Sequence, residues 1–85
     1  MKTIYKYPLS EAVQMPKGAK ILTAQDQGGQ IFIWAEVDSH ARTDKTREFL
    51  IIGTGQELPN LDNWQYVATV QQGIFVWHIY AEINL

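Results

Sequence analysis

The sequence predicts an all-β domain, a small antiparallel sandwich or partly open barrel of six or seven strands. Three observations carry this. Apolar residues recur with a period of two in most segments, and hardly anywhere with the helical period of about 3.6. β-branched and aromatic residues dominate those segments, as a pleated, half-buried surface requires. Connections are short and strand follows strand, with no long amphipathic helix to form a crossover. The 85 residues read as one domain, 1–85, without linker, repeat or low-complexity stretch.

Each element follows from local chemistry. Thr3–Tyr7 (TIYKY) is a strand ended by Pro8. Ser10–Met15 reads either as a helical turn capped by Ser10 or as a short edge strand, Ala12–Met15, stopped by Pro16, with the strand preferred. Lys17-Gly18 makes a turn. Ala19–Gln25 is a strand with Ile21 and Thr23 on one face and Leu22 and Ala24 on the other. Asp26–Gln30 (DQGGQ) carries the clearest hairpin signal, because paired glycines tolerate the positive φ of primed turns. Ile31–Val37 returns antiparallel. Asp38–Thr46 is polar and charged, and reads as an exposed, mobile loop. Arg47–Ile52 is the next strand, followed by Gly53-Thr54-Gly55 and a loop over Gln56–Asn63. Trp64–Gln71 and Ile74–Ile83 close the chain as a hairpin across Gln72-Gly73.

The last strand is apolar on both faces: Phe75, Trp77, Ile79, Ala81 and Ile83 on one, Ile74, Val76, His78 and Tyr80 on the other. Such a strand needs cover on both sides. A chain of this size buries only about two-thirds of its surface, folding from roughly 14,000 Å² to roughly 5,100 Å². With no cysteine, disulfides cannot supplement the core. Self-association into a homo-oligomer is the expected supplement.

Composition narrows the function classes. The formal net charge is −2, which argues against general nucleic-acid binding. All seven basic residues lie within the first 47 positions. Met1–Leu9 has two lysines and no apolar h-region, so no signal peptide is expected there, and the apolar runs are too short for a membrane helix. The two histidines, His40 and His78, are far apart, so no metal site or cofactor is expected. The nucleophile inventory is Ser10, Ser39 and several threonines, none in a nucleophile-elbow setting. No catalytic residue is assigned, and the protein reads as a binding protein rather than an enzyme.

The candidate ligand-binding residues are Arg47, Gly53, Thr54, Gly55, Trp34, Trp77 and His78. The Gly53-Thr54-Gly55 turn could expose backbone N–H groups as an anion nest, though it is also an ordinary tight turn. Arg47, on the same strand, could supply a bidentate phosphate contact, or stand as an edge charge. Trp34 and Trp77 could stack on a base, or fill the core. His78 could donate to a ligand, or be a buried histidine with a satisfied ring nitrogen.

Segments along nearly the whole chain carry a resemblance: I-Y-K-Y-P-L at Ile4–Leu9, V-Q-M-P-K-G-A-K-I-L at Val13–Leu22, W-A-E-V-D at Trp34–Asp38, R-E-F at Arg47–Phe49, G-T-G at Gly53–Gly55, T-V-Q at Thr69–Gln71 and V-W-H at Val76–His78. The chain resembles a family of small proteins encoded by tailed bacteriophages and prophages. The resemblance implies phage origin and action in the host bacterial cytoplasm, and no particular activity. By analogy of size and context, the expected function is counter-defence: sequestering, without cleaving, a nucleotide-derived immune signal such as a cyclic ADP-ribose isomer or a cyclic nucleotide. Rings would stack on the base while Arg47 and the backbone around Thr54 hold phosphate. The alternatives are a protein-binding inhibitor of a host or defence enzyme, and a virion accessory protein.

Overall fold

The computed structural model describes residues 1–43 and 45–83. Seven strands follow in order: β1 (Lys2–Pro8), β2 (Ala12–Met15), β3 (Lys20–Gln27), β4 (Gln30–Asp38), β5 (Lys45–Gly53), β6 (Trp64–Gln72) and β7 (Phe75–Glu82). They form a three-stranded sheet, β1-β4-β3, and a four-stranded sheet, β2-β5-β7-β6, with every pairing antiparallel. The sheets lie face to face in a flat slab with Cα extents of 40 × 31 × 15 Å, the thickness expected of two stacked layers. Among the described residues no helix is long and apolar enough to cross a membrane.

Strict alternation builds the core. On β4, Ile31, Ile33, Ala35 and Val37 point inward and are buried, while Phe32, Trp34 and Glu36 point out. Facing them are Phe49 of β5, Ile79 and Ala81 of β7, and Val70 of β6. Segment 10–15 is a strand: Ala12–Met15 pairs with Lys45–Glu48, and Val13 and Met15 enter the core. β3 departs from simple alternation. Its register shifts between Ile21 and Thr23, so Leu22 is an extra residue in a bulge. Ile21 and Ala24 therefore share the inner face, and Leu22 is left 41 % exposed.

Two glycine turns set the hairpin registers. Gly28 and Gly29 have φ of 64° and 90° between the paired residues Gln27 and Gln30, as a type I′ turn demands. Gly73 has φ 62° and is followed by Ile74, with Gln72 paired to Phe75; glycine at the first central position suits a type II′ turn. This turn lies one residue later than the sequence suggests, so Ile74 sits at its tip rather than in β7. The polar loop is also shorter than expected. Asp38 ends β4 and β5 begins at Lys45, while Asp44 lies outside the described residues. Its start is pinned: Asp38 Oδ1 accepts from the His40 backbone N–H at 3.0 Å and from the N-terminal ammonium at 3.1 Å. The His40 hydrogen bond first, then the ammonium, holds the Asp38 carboxyl below its usual range.

Arg47 is the one charged side chain buried between the sheets among the described residues, 7 % exposed. Its Nε donates to the Glu82 carbonyl at 2.7 Å and its Nη1 to the Ala19 carbonyl at 2.9 Å. Glu82 ends β7 and Ala19 precedes β3, so one guanidinium ties the lower ends of both sheets. Burial lowers the Arg47 pKa, with nearby Glu82 opposing the shift; the group stays charged. Arg47→Ala strands two buried carbonyls and opens a cavity. We expect it to cost about 2–4 kcal/mol, a fall in Tm on the order of 10–20 °C. Arg47→Lys, lacking the planar fork, recovers only part of this. Urea and thermal unfolding of the three proteins check it; an alanine variant within about 0.5 kcal/mol of the parent removes the tie.

Candidate binding surface

Outward-facing residues of the four-stranded sheet form a second, partly covered surface. Register places Leu50 and Ile52 of β5 beside Tyr80 and His78 of β7, and these beside Tyr66 and Thr69 of β6. The loop after β5 turns back over the upper half. Ile52 faces outward yet is only 7 % exposed, and Ile52, Thr54, Leu58, His78 and Tyr80 line a hollow of about 270 Å³. The apolar outer face of β7 is thus partly covered by its own chain.

His78 is the centre of a hydrogen-bonded row across the sheet. Its Nε2 lies 2.8 Å from Thr54 Oγ1 and its Nδ1 lies 3.1 Å from Thr69 Oγ1. The Thr69 hydroxyl in turn meets the Tyr66 hydroxyl. A threonine hydroxyl both donates and accepts, so either neutral tautomer of His78 finds two partners. Both ring nitrogens are therefore satisfied internally, which is the structural reading of this residue.

The Gly53-Thr54-Gly55 turn is built, but not as an anion nest. Gly53 N–H donates to Gln56 Oε1 at 2.6 Å, and Thr54 N–H donates to the Val76 carbonyl at 3.1 Å. Two of its three N–H groups are thereby committed inside the protein. Gly55 has φ +94°, a conformation that favours glycine. At Gly53 the requirement is space: a Cβ there would lie 3.3 Å from Trp77 Cζ3.

The structure separates the other candidate residues. Arg47 is the third residue of β5, the strand that Gly53 ends, six residues or roughly 20 Å away, and its guanidinium is committed to the Ala19 and Glu82 carbonyls. The joint grip on phosphate by Arg47 and Thr54 therefore does not form. Trp34 lies on the outer face of the other sheet, edge-on to Phe32 at 6.2 Å. Trp77 points inward at the upper rim, where its Nε1 donates to Gln72 Oε1 at 3.2 Å and Phe75 stacks on it at 5.6 Å. The two indoles cannot enclose one ligand. Ser10 Oγ and Ser39 Oγ donate to the Ala12 and Met1 carbonyls, and no group of three or more metal-capable side chains occurs among the described residues.

What the geometry brings together instead is an apolar crest at the β6–β7 turn. Ile74 is 92 % exposed and Phe75 55 % exposed. Beside them runs a groove of about 470 Å³ lined by Gly53, Thr54, Gln56, Val76 and Trp77. The domain of unknown function DUF7352 matches the chain over residues 1–85. The chain belongs to that family. No curated protein and no solved structure matches it. In this DUF7352 chain, the G-T-G, T-V-Q and V-W-H segments supply Thr54, Thr69 and His78 to the hydrogen-bonded row, while the crest, Ile74 and Phe75, falls between the last two segments.

Sequence reasoning missed Thr69 and Tyr66 as partners of His78. The hairpin register alone finds the first, since pairing Gln72 with Phe75 sets Thr69 opposite His78. Thr54→Val keeps the shape of the side chain and removes the hydroxyl. We expect it to cost about 1 kcal/mol, a Tm lower by roughly 4–8 °C, with a changed His78 ring-nitrogen NMR shift. An unchanged ring signal contradicts the row.

Proposed function

We propose that this domain is a non-catalytic binding protein whose target is another protein, gripped by the Ile74–Phe75 crest and the groove beside it. The observation that carries the reading is the fully exposed isoleucine at the turn tip. A II′ turn accepts a polar residue at its second central position equally well, so folding does not require Ile74. Continuity with Phe75 and Trp77 gives the crest the aromatic and aliphatic anchors that dominate protein interfaces.

Charge supports a protein over a nucleotide. No lysine or arginine occurs in residues 48–85, and the whole groove is drawn from that stretch. A phosphate there has no cation, and two N–H groups of the turn are already committed. Resemblance to phage-encoded proteins supports a host or defence enzyme in the bacterial cytoplasm as the target, blocked by occupation of its surface.

The test is affinity purification from the bacterial host of the parent and of Ile74→Asp/Phe75→Ser, both checked for folding by circular dichroism, followed by native mass spectrometry. We expect the parent to retain one host protein in fixed stoichiometry and the variant to lose it at least tenfold. A parent that instead carries a nucleotide-derived mass, which the variant keeps, overturns the reading in favour of sequestration.

A further inference from the structure

The two broad faces of the slab carry opposite charge. Facing out from the three-stranded sheet are Lys2, Lys6 and Lys20 against one glutamate, Glu36, while Asp38 is held by the N-terminal ammonium. Only Lys2 reaches Glu36, at 4.0 Å; Lys6 and Lys20 make no ion pair among the described residues. Lys6 instead lies over the Phe32 ring at 4.5 Å. The outward face of the four-stranded sheet presents Glu48 and Glu82, with Glu11 at its rim beside Leu50 and Trp64. No cation makes a direct ion pair with these carboxylates among the described residues, although the buried Arg47 charge lies near Glu82.

Both faces also leave apolar surface in water. The basic face exposes Ile4 and Leu22 around Phe32 and Trp34; the acidic face exposes Tyr66 beside Leu50 and Tyr80. The molecular surface, 5622 Å², exceeds the roughly 5,100 Å² expected for this mass. That excess belongs to a flat slab with two broad sides. A face of up to 40 × 31 Å offers more than the roughly 800 Å² per partner that a stable interface needs.

We infer that copies of this chain stack head to tail, the basic outer face of one three-stranded sheet on the acidic outer face of the next copy's four-stranded sheet. A symmetric dimer through either face sets lysines against lysines or glutamates against glutamates, which like-charge repulsion disfavours. The contact is therefore heterologous. Because the two faces lie on opposite sides of the slab, it propagates into an open stack rather than closing at two copies. The acidic residues lie at the lower end of the sheet, away from the Ile74–Phe75 crest, so stacking and the proposed target binding use separate ends.

Sedimentation of the purified protein tests this directly. We expect oligomers that grow with concentration near 0.05 M salt and shrink toward monomer as salt approaches 1 M, where the Debye length falls to about 3 Å. Two blocked variants sharpen the test: Lys6→Gln/Lys20→Gln/Leu22→Gln on one face and Glu11→Gln/Glu48→Gln/Tyr66→Gln on the other. All six are surface positions, and folding is verified by circular dichroism. Each variant alone is expected to be monomeric, and an equimolar mixture to give a 1:1 dimer and nothing larger, since only one intact pair of faces remains. The proposal is overturned by a parent that stays monomeric at low salt, by a dimer insensitive to both variants, or by a mixture that stays monomeric. The salt series of the parent decides the matter even where a variant misfolds.

Discussion

The Arg47 guanidinium is the constraint around which this small sandwich is organised. A charge between two sheets has to find acceptors, and the ones it finds are carbonyls at the ends of two different strands, Glu82 and Ala19. Those are the groups that sheet ladders leave without partners, and burying them open would cost as much as a lost hydrogen bond each. The same side chain thus satisfies its own desolvation and closes the lower end of the core. It also fixes where β7 stops and where β3 starts, in a chain with no disulfide to do so.

Functional consequences follow from that commitment. With Arg47 turned inward, the remaining basic residues lie on the three-stranded sheet or near the polar loop, and the four-stranded sheet is left acidic and aromatic on its outer side. His78 and Thr54 form part of that sheet's internal bonding, so the exposed chemistry shifts to apolar side chains: Ile74 and Phe75 at one end, Tyr66 and its neighbours across the face. Surfaces of this kind are suited to contact with proteins. The exposed apolar groups of that side stand apart from any outward-facing arginine, because Arg47 is turned into the core.

Much of the fold was legible from the sequence because it rests on period-two alternation and glycine turns. β4, with four buried residues at every second position, and the Gly28-Gly29 turn left little choice. The bulge at Leu22 was not legible, because an inserted residue leaves no mark in composition and only the cross-strand register reveals it. The candidate site fared less evenly. The G-T-G and V-W-H segments do meet, through Thr54 and His78, but Arg47 was assigned by chemical type alone. An arginine on a strand looks the same in sequence whether it faces water or the core, and the parity it shares with Phe49 was the clue, since both lie on the inner face of β5. The exposed Ile74 was hidden by a one-residue error in the turn.

The most direct test of the central claim watches the Arg47 Nε–H by nitrogen-detected NMR. If the guanidinium is sealed between the sheets and bonded to the Glu82 carbonyl, this proton exchanges with water far more slowly than that of Arg42, and neither its shift nor its exchange responds to phosphate or nucleotides. A rapidly exchanging Nε–H that moves on addition of such an anion would contradict the account and return Arg47 to the ligand-binding surface.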